Sequence, residues 1–338
     1  MRYAVIGAGP IGSAIAATLF ANGNDVSLID VAQTIVDAIS ANGLYFENSS
    51  IQFAPPDMQK VVNIPIFNNP ERVGKVDVVF LAVKGVFTRN CIATMKALMT
   101  PETIFISAQN GIGNEEIMAE ALGAENVAYT VVQYGGRLLG PGRISCNIPV
   151  ANVTNGMEGH LPVTSFLAKN AKLYEKLKQV GKDMTSSWFD CRPLAKNQLD
   201  SMRWSKLILN AVVNSIGAVA ECPMDGQYAC ESGVQFGEKI IEEGIAVAEA
   251  LGVKVKREDI HLPNKVEPKV TDGGYRHYTS MAMDVVNRRK TENEFINGAI
   301  VRTGRKVGVP TPYNQAIYWM VDVVENTYED RFSITNKV

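Results

Sequence analysis

The 338-residue sequence has few of the side chains that build metal and disulfide sites. It contains only three histidines, at positions 160, 261 and 277, and five cysteines whose spacing is not that of metal ligands. An odd number of scattered cysteines also argues against a disulfide framework. We therefore expect no metal and no disulfide, and a reducing cytoplasm as the compartment.

An excess of charge of one sign is absent as well. The chain has 33 Lys and Arg against 35 Asp and Glu, which gives a net charge of −2. Such a balance lacks the basic footprint of proteins that bind nucleic acid or anionic membranes, so we expect neither partner. The composition is ordinary for a globular protein, and the length suggests two domains.

Charge is missing altogether between Arg2 and Asp25. A signal peptide or a membrane span would look similar. The stretch from Tyr3 to Ala21, however, carries three Gly and one Pro, and a single Arg precedes it. A nucleotide-binding loop explains this pattern better.

The segment Gly-Ala-Gly-Pro-Ile-Gly, residues 7–12, follows a short β-type run and precedes a helical stretch. A second strand then ends at Asp30, eighteen residues after Gly12. In this arrangement Gly7 permits a tight turn, Gly9 lets a pyrophosphate approach the backbone, and Gly12 lets the helix pack closely on the strand. The pattern therefore predicts a dinucleotide site.

The helix N-terminus, around Pro10 and Ile11, would offer its free N–H groups to the phosphates. Asp30 would accept hydrogen bonds from the hydroxyls of the adenosine ribose, and its charge would repel a 2′-phosphate. Residues 31–36 contain no Arg or Lys that would bind such a phosphate. We therefore favour NAD over NADP. Proteins that bind FAD share the glycine pattern, and the alternative for Asp30 is the N-cap of the next helix.

Three further apolar runs, at residues 76–83, 103–108 and 127–132, predict parallel strands covered on both faces. Helical stretches separate them, which predicts an α/β fold with a Rossmann-type doubly wound sheet. Ligands of such sheets bind outside the carboxyl ends of the strands, where Lys84 and Asn110 lie. A solvated Lys and an Asn-Gly turn are the alternatives.

The two halves of the chain differ in pattern. Residues 43–72 predict short strands of a side extension, and the glycine-rich residues 134–149 predict a loop or a hairpin. From about Val163 the pattern becomes mostly helical. We therefore predict a dinucleotide-binding domain over residues 1–195 and a mostly α-helical substrate and dimerisation domain over residues 196–338.

One helix of the second half carries a polar stripe. Lys206, Asn210 and Asn214 recur at four-residue spacing in an otherwise apolar segment. Four residues make about one helical turn, so the three polar groups share one face. A buried ammonium and two amides need partners, which predicts a bound ligand. A solvated helix edge is the alternative.

A second polar set lies downstream, with Ser280 and Glu292 as candidates. The alternatives are a helix cap or a solvated hydroxyl for Ser280, and a favourable interaction with a helix dipole for Glu292. The helix that follows is predicted to open with a capping box formed by Thr291 and Glu294, and to end near Gly308.

Together these segments resemble the ketopantoate reductase family, 2-dehydropantoate 2-reductases and related D-2-hydroxyacid dehydrogenases, over nearly the whole chain. The resemblance rests on the glycine loop, the strand end at Lys84, Gln-Asn-Gly at residues 109–111, the Lys-Asn-Asn stripe, and Ser280 with Glu292 and Ile-Asn-Gly at 296–298. It implies a reductase that takes hydride from a nicotinamide cofactor, with a role in pantothenate biosynthesis.

The resemblance also implies roles for single residues. Lys206 would donate the proton to the ketone oxygen, and Glu292 would orient Lys206 or the substrate beside the cofactor. The other roles implied are substrate contact for Asn110, Asn210, Asn214, Ser280 and His277, and cofactor contact for Lys84 and Asn110.

The chain departs from the family pattern at three places. Asp30 stands where the usual NADPH-linked members carry a basic residue, His277 stands where Asn is common, and extra residues lie near 45–65 and at the C-terminus. We therefore expect an NADH-linked reductase of a small branched 2-keto acid. The alternatives are NADPH-dependent 2-dehydropantoate 2-reduction, a 3-hydroxy acid or opine-type dehydrogenase, and a non-catalytic dinucleotide sensor. A homodimer is expected by analogy alone.

Overall fold

The computed structural model describes residues 1–48, 60–147, 163–165, 171–185, 191, 193–260 and 278–330. The chain divides into two compact units, Met1–Leu199 and Asp200–Val338. This division falls inside one helix, and the boundary expected after residue 195 stays a prediction.

The first unit is built from strands and helices in alternation. Its elements in chain order are β1 Arg2–Ile6, α1 Pro10–Ala21, β2 Asp25–Ile29, α2 Gln33–Asn42, β3 Leu44–Asn48, β4 Lys60–Val62, β5 Ile66–Phe67, β6 Val78–Leu81, α3 Ile92–Leu98, β7 Ile104–Ser107, α4 Asn114–Leu122, β8 Val127–Thr130, β9 Gly136–Gly140, β10 Arg143–Cys146, β11 Val163–Ser165 and α5 Ala171–Met184.

Seven strands form the main sheet, in the order β11-β8-β7-β6-β1-β2-β5. All neighbours pair in parallel except β11, which runs antiparallel to β8. Tyr3 and Val5 of β1 belong to the core on one face of the sheet, and Ala4 and Ile6 belong to the core on the other. Since successive side chains of a strand point to opposite faces, both faces are covered. The doubly wound sheet predicted from the sequence is thereby confirmed.

Two features of this unit differ in detail from the sequence prediction. The chain after Val163 was expected to be mostly helical, but β11 adds an antiparallel edge strand to the main sheet. Strands β3 and β4 of the predicted side extension and strands β9 and β10 of the glycine-rich segment form a second sheet, in the order β4-β3-β10-β9. The predicted hairpin is confirmed. The predicted side extension is confirmed only in part, because β5 pairs with β2 in the main sheet, whereas β3 pairs in parallel with β10.

The second unit is helical throughout its described part. Its elements are α6 Lys196–Ala220, which starts just before the division, α7 Met224–Ala229, α8 Glu231–Ala250, α9 Ser280–Val286, α10 Asn297–Val307 and α11 Pro312–Asn326. The short helix α7 has no counterpart in the sequence prediction.

Two glycines let α8 pack closely on α6. A Cβ at Gly237 would lie 2.9 Å from Cγ1 of Val212, and a Cβ at Gly244 would lie 2.7 Å from Cγ1 of Ile208. The apolar side of α6 therefore contacts α8 at two points, seven residues apart on α8 and four residues apart on α6. This contact fixes which face of α6 is left for its polar side chains.

The capping box predicted for α10 is wrong. Thr291 donates its hydroxyl to the carboxylate of Glu325, and Glu294 forms an ion pair with Arg302. A 3-10 turn, Asn293–Phe295, follows Glu292, and α10 begins only at Asn297. The predicted end of the helix is confirmed, because Gly308 adopts a left-handed conformation at φ 76°.

All five cysteines are free thiols. In the part of the chain that the structure describes, no helix is long and apolar enough to cross a membrane.

The main sheet provides a stability test. Phe80 is fully buried in the central strand β6, whereas Phe87 is 52% exposed. Phe80→Ala should lower the free energy of unfolding by about 3–5 kcal/mol, because it removes buried apolar surface and leaves a cavity. Phe87→Ala is the matched control, and denaturant titration compares the two. An equal loss for both variants would contradict this placement of the core.

Candidate functional site

The glycine loop between β1 and α1 has two packed glycines and one open one. Gly7 adopts φ 103°, and a Cβ there would lie 2.9 Å from Cγ1 of Val83. A Cβ on Gly12 would lie 2.0 Å from the carbonyl oxygen of Gly7. At Gly9 a Cβ would meet nothing within 4 Å. The fold therefore requires Gly7 and Gly12, while the space at Gly9 is open to a ligand.

Helix α1 begins beside that open space. Gly9 is its N-cap residue and, having no side chain, caps nothing; Pro10 and Ile11 open the first turn. The backbone carbonyl of Gly9 accepts from the N–H of Ser13 at 2.9 Å. The N–H groups of the first turn face the loop without a capping side chain, which is the donor set that a pyrophosphate needs. The residues present thus fit a dinucleotide.

Asp30 connects the end of β2 to the glycine loop. One carboxylate oxygen accepts from the N–H of Ala8 at 2.7 Å, and the other accepts from the N–H of Ala32 at 2.9 Å. Helix α2 starts at Gln33 with Ala32 as its N-cap residue, so the alternative of Asp30 as that N-cap is wrong. Each oxygen has a further lone pair for another donor.

Lys84 and Asn110 lie where the sequence analysis placed them, just beyond the carboxyl ends of β6 and β7. These strands are direct neighbours, and Leu81 stands opposite Ser107 near their ends. Lys84 precedes a 3-10 turn, and the carbonyl of Asn110 accepts from the side chain of Asn114 at 3.2 Å.

Gln109 connects the two loops, which the sequence analysis missed. Its amide nitrogen donates to the carbonyl of Val83 at 2.9 Å and to the hydroxyl of Thr88 at 2.8 Å. Gln109 thereby holds the loop after β7 against the loop after β6. The sequence shows the Gln-Asn-Gly segment, but only the hydrogen bonds show that Gln109 is the residue that joins the two loops.

The polar stripe of the second unit is confirmed as one face of α6. Lys206 and Asn210 are half-buried, and Asn214 is buried. The intervening apolar residues Leu207, Ile208, Ala211 and Val212 are at most 2% exposed. The alternative of a freely solvated helix edge does not describe Asn214, which is 5% exposed.

Lys206 has a perturbed acidity. Burial lowers the pKa of its ammonium from 10.5 to about 8, and the charge of Glu292 opposes this shift. Glu292 itself is buried and comes directly before the 3-10 turn. Glu292 stands five residues before the first residue of α10 and therefore outside the first turn of that helix, so the helix-dipole alternative does not describe it. Removal from water and attraction between opposite charges act on this lysine in opposite directions.

Ser280 is exposed and is the first residue of α9. The cap is Thr279, whose hydroxyl accepts from the N–H of Ala282 at 3.4 Å, so the alternative of Ser280 as the cap is wrong. The same hydroxyl lies 3.2 Å from the position of a Cβ on Gly217 of α6. The start of α9 therefore lies against α6, three residues beyond Asn214. His277 lies outside the described residues.

A buried glutamine near this contact was also missed by the sequence analysis. Gln227 of α7 is 3% exposed, and its amide nitrogen donates to the carbonyl of Val213 at 3.0 Å. It supports α6 on the side of Asn214. No periodic pattern marks a residue of so short a helix, so the sequence offered no signal for it.

Residues 3–154 match the family ketopantoate reductase PanE/ApbA, and residues 198–325 match the C-terminal part of the same family. The chain belongs to the ketopantoate reductase family, whose members are NAD(P)-dependent and act on 2-hydroxy acids.

Individual relatives match nearly the whole length of the chain. A 2-dehydropantoate 2-reductase of Streptococcus pyogenes serotype M6 is 28% identical over 335 residues, 96% of this chain and 98% of the relative. D-mandelate dehydrogenase, solved with NADH and anilino(oxo)acetate, is 24% identical with a TM-score of 0.80, covering 97% of this chain and 100% of that one. A dimeric ketopantoate reductase from Staphylococcus aureus is 22% identical with a TM-score of 0.73, at the same coverage. Both structures share the fold of this chain.

Gly9 and Gly12 make a matched pair for testing the loop. Gly9→Ala should fold normally, because a methyl group there meets nothing within 4 Å, but it should weaken NADH binding by about tenfold or more. Gly12→Ala should lower the melting temperature, because its methyl group collides with a carbonyl. Thermal unfolding and NADH fluorescence titration measure the two effects. Unchanged NADH affinity in Gly9→Ala would contradict the assignment of the loop.

Proposed function

We propose that this protein reduces a small branched 2-keto acid to the D-2-hydroxy acid with NADH as the hydride donor. The observation that carries the proposal is the half-buried Lys206, whose pKa of about 8 keeps an ammonium and its neutral amine both accessible near neutral pH. A proton donor of matched acidity is what carbonyl reduction requires.

The first unit would hold the cofactor. Its pyrophosphate would lie on Gly9 and the first turn of α1, at Pro10 and Ile11, while Gly7 and Gly12 shape the loop. Asp30 would accept from the adenosine ribose, and Lys84 and Asn110 would lie toward the nicotinamide. The bound cofactor supplies a hydride to the carbonyl carbon of the substrate.

Lys206 would complete the reduction. Its ammonium donates a proton to the ketone oxygen while negative charge develops there, so the product leaves as a hydroxy acid and the lysine is left as a neutral amine. Water then returns the proton to the amine. Glu292 would hold the ammonium in place and keep it charged, since the nearby carboxylate raises the pKa of Lys206.

The remaining polar groups would orient the substrate. Asn210 and Asn214 can each donate and accept through one amide, which suits a carboxylate or a hydroxyl oxygen. The exposed hydroxyl of Ser280 would bind the substrate carboxylate, and we keep His277 and Asn110 as substrate contacts. Residues of these types select a short, polar acid over an extended apolar ligand.

Asp30 supports NADH over NADPH. Two backbone N–H groups fix the carboxylate of Asp30 in place. A 2′-phosphate beside this carboxylate would be repelled by a charge of the same sign. The D-mandelate dehydrogenase of similar fold was solved with NADH. The second candidate is NADPH-dependent 2-dehydropantoate 2-reduction, because the curated relatives bear that enzyme's name.

Self-association belongs to the same proposal. We propose a homodimer in the cytoplasm, by analogy with the dimeric enzyme from Staphylococcus aureus, and we propose the helical second unit as the contact. Sedimentation of the purified protein would measure this directly.

Cofactor and substrate are tested together by initial rates. Ketopantoate and other branched 2-keto acids should be reduced with NADH at a kcat/KM at least about tenfold above that with NADPH, because a like-charge contact opposes the 2′-phosphate. Analysis of the product should show a 2-hydroxy acid and neither a 3-hydroxy acid nor an opine. Strong turnover of ketopantoate with NADPH would instead establish the second candidate.

The acid role of Lys206 predicts a pH profile. Because the ammonium is the active form, kcat/KM for reduction, which reports the groups of the free enzyme, should fall as pH rises through about 8. Glu292→Gln removes the charge that raises this pKa, so the fall should move to lower pH. Glu294→Gln is the matched control, because Glu294 is exposed and pairs with Arg302 and Tyr318. A profile that Glu292→Gln leaves unmoved would contradict the pairing.

A further inference from the structure

Two asparagines form a hydrogen-bonded chain inside the second unit. Asn297 and Asn314 are both fully buried. The amide nitrogen of Asn297 donates to the backbone carbonyl of Ala211 at 3.1 Å and to the side-chain oxygen of Asn314 at 3.2 Å. Buried amides normally have such partners. Among the described residues the amide nitrogen of Asn297 has two acceptors, whereas its side-chain oxygen has no hydrogen-bond donor.

Glu243 of α8 fixes the direction of this chain. Its carboxylate accepts from the amide nitrogen of Asn314 at 2.8 Å and from the backbone N–H groups of Tyr313 and Asn314 at 2.8 and 2.9 Å. Asn314 also donates to the carbonyl of Ile240 at 3.2 Å. Because its nitrogen is committed to these acceptors, its oxygen must face Asn297, whose nitrogen must then face α6.

The hydrogen-bonded chain of asparagines ends beside the proposed catalytic groups. Ala211 directly follows Asn210 on the polar stripe, and its carbonyl also accepts from the hydroxyl of Ser215 at 2.5 Å. Asn297 is the first residue of α10, five residues after Glu292 and separated from it only by the 3-10 turn. One buried amide therefore ties the helix of Lys206 to the segment that carries Glu292.

We propose that Asn297 is a positioning residue that sets the distance between Lys206 and Glu292, with Asn314 and Glu243 holding Asn297 in its orientation. This inference rests on the proposed acid role of Lys206. An apolar side chain could fill the same space without needing any partner. What the amide adds is a fixed direction between two segments that lie 86 residues apart in the chain.

The test is a double-mutant cycle on the full-length protein. Asn297→Ala should lower kcat by about tenfold, because a small displacement of an acid from its target is costly, and leave KM for NADH within about twofold. In a Lys206→Ala background the same change should lower kcat by less than about twofold, because no ammonium remains to be positioned. Asn297→Ser keeps a hydroxyl that cannot reach α6, so it should lower kcat by a similar factor. It replaces the alanine variant in the cycle if that variant does not fold.

A packing control separates positioning from stability. Val321 is fully buried in α11, the helix of Asn314, and Val321→Ala should lower the melting temperature without changing kcat at 25 °C. Equal losses from Asn297→Ala with and without Lys206 would overturn the positioning role, as would an unchanged kcat in the otherwise native protein. If Lys206→Ala alone kept its turnover, the proposed function itself would fail, and the inference with it.

Discussion

The second unit depends on the balance between desolvation and charge attraction at Lys206. Removing an ammonium from water is unfavourable, and Glu292 offsets only part of this, so the pKa settles near 8. The packing of α8 on α6 fixes how far Lys206 is buried, and with it this balance. Gly237 and Gly244 press α8 onto the apolar side of α6, so the lysine has a single face on which to lie. A looser core would let water in and return the lysine to ordinary acidity.

Much of the first unit could be predicted from the sequence because its rules are local. A glycine that must avoid a neighbouring carbonyl, an apolar strand covered on both faces, and polar residues directly after a strand all lie within a few residues of what constrains them. The glycine loop and the strand ends at Lys84 and Asn110 follow from such rules. One local signal was misleading, because a residue far along the sequence competes with it. Thr291 and Glu294 have capping-box spacing, yet Glu325 and Arg302 bind them instead.

Contacts between distant segments could not be predicted in this way. Strand β11 pairs with β8, and β3 pairs with β10 roughly a hundred residues later, but neither pairing leaves a mark in short-range periodicity. The same holds for the amide of Asn297, whose partner lies 86 residues away. The polar stripe on α6 was visible because helical spacing displays it. Its supports, Gln227 and Asn297, were not, because each reaches α6 from another helix.

Asp30 has a consequence for how cofactor preference changes over evolution or in the laboratory. Its carboxylate accepts from the N–H of Ala8 inside the glycine loop, and under the proposed function it would also accept from the adenosine ribose. A basic residue introduced there would remove the repulsion of a phosphate but would also release the loop from β2. Under the proposed function, the same side chain thus affects both the preference for NADH over NADPH and the geometry of the glycine loop. A lineage that moves from one nicotinamide to the other must find a second substitution that rebuilds the loop before the first becomes useful.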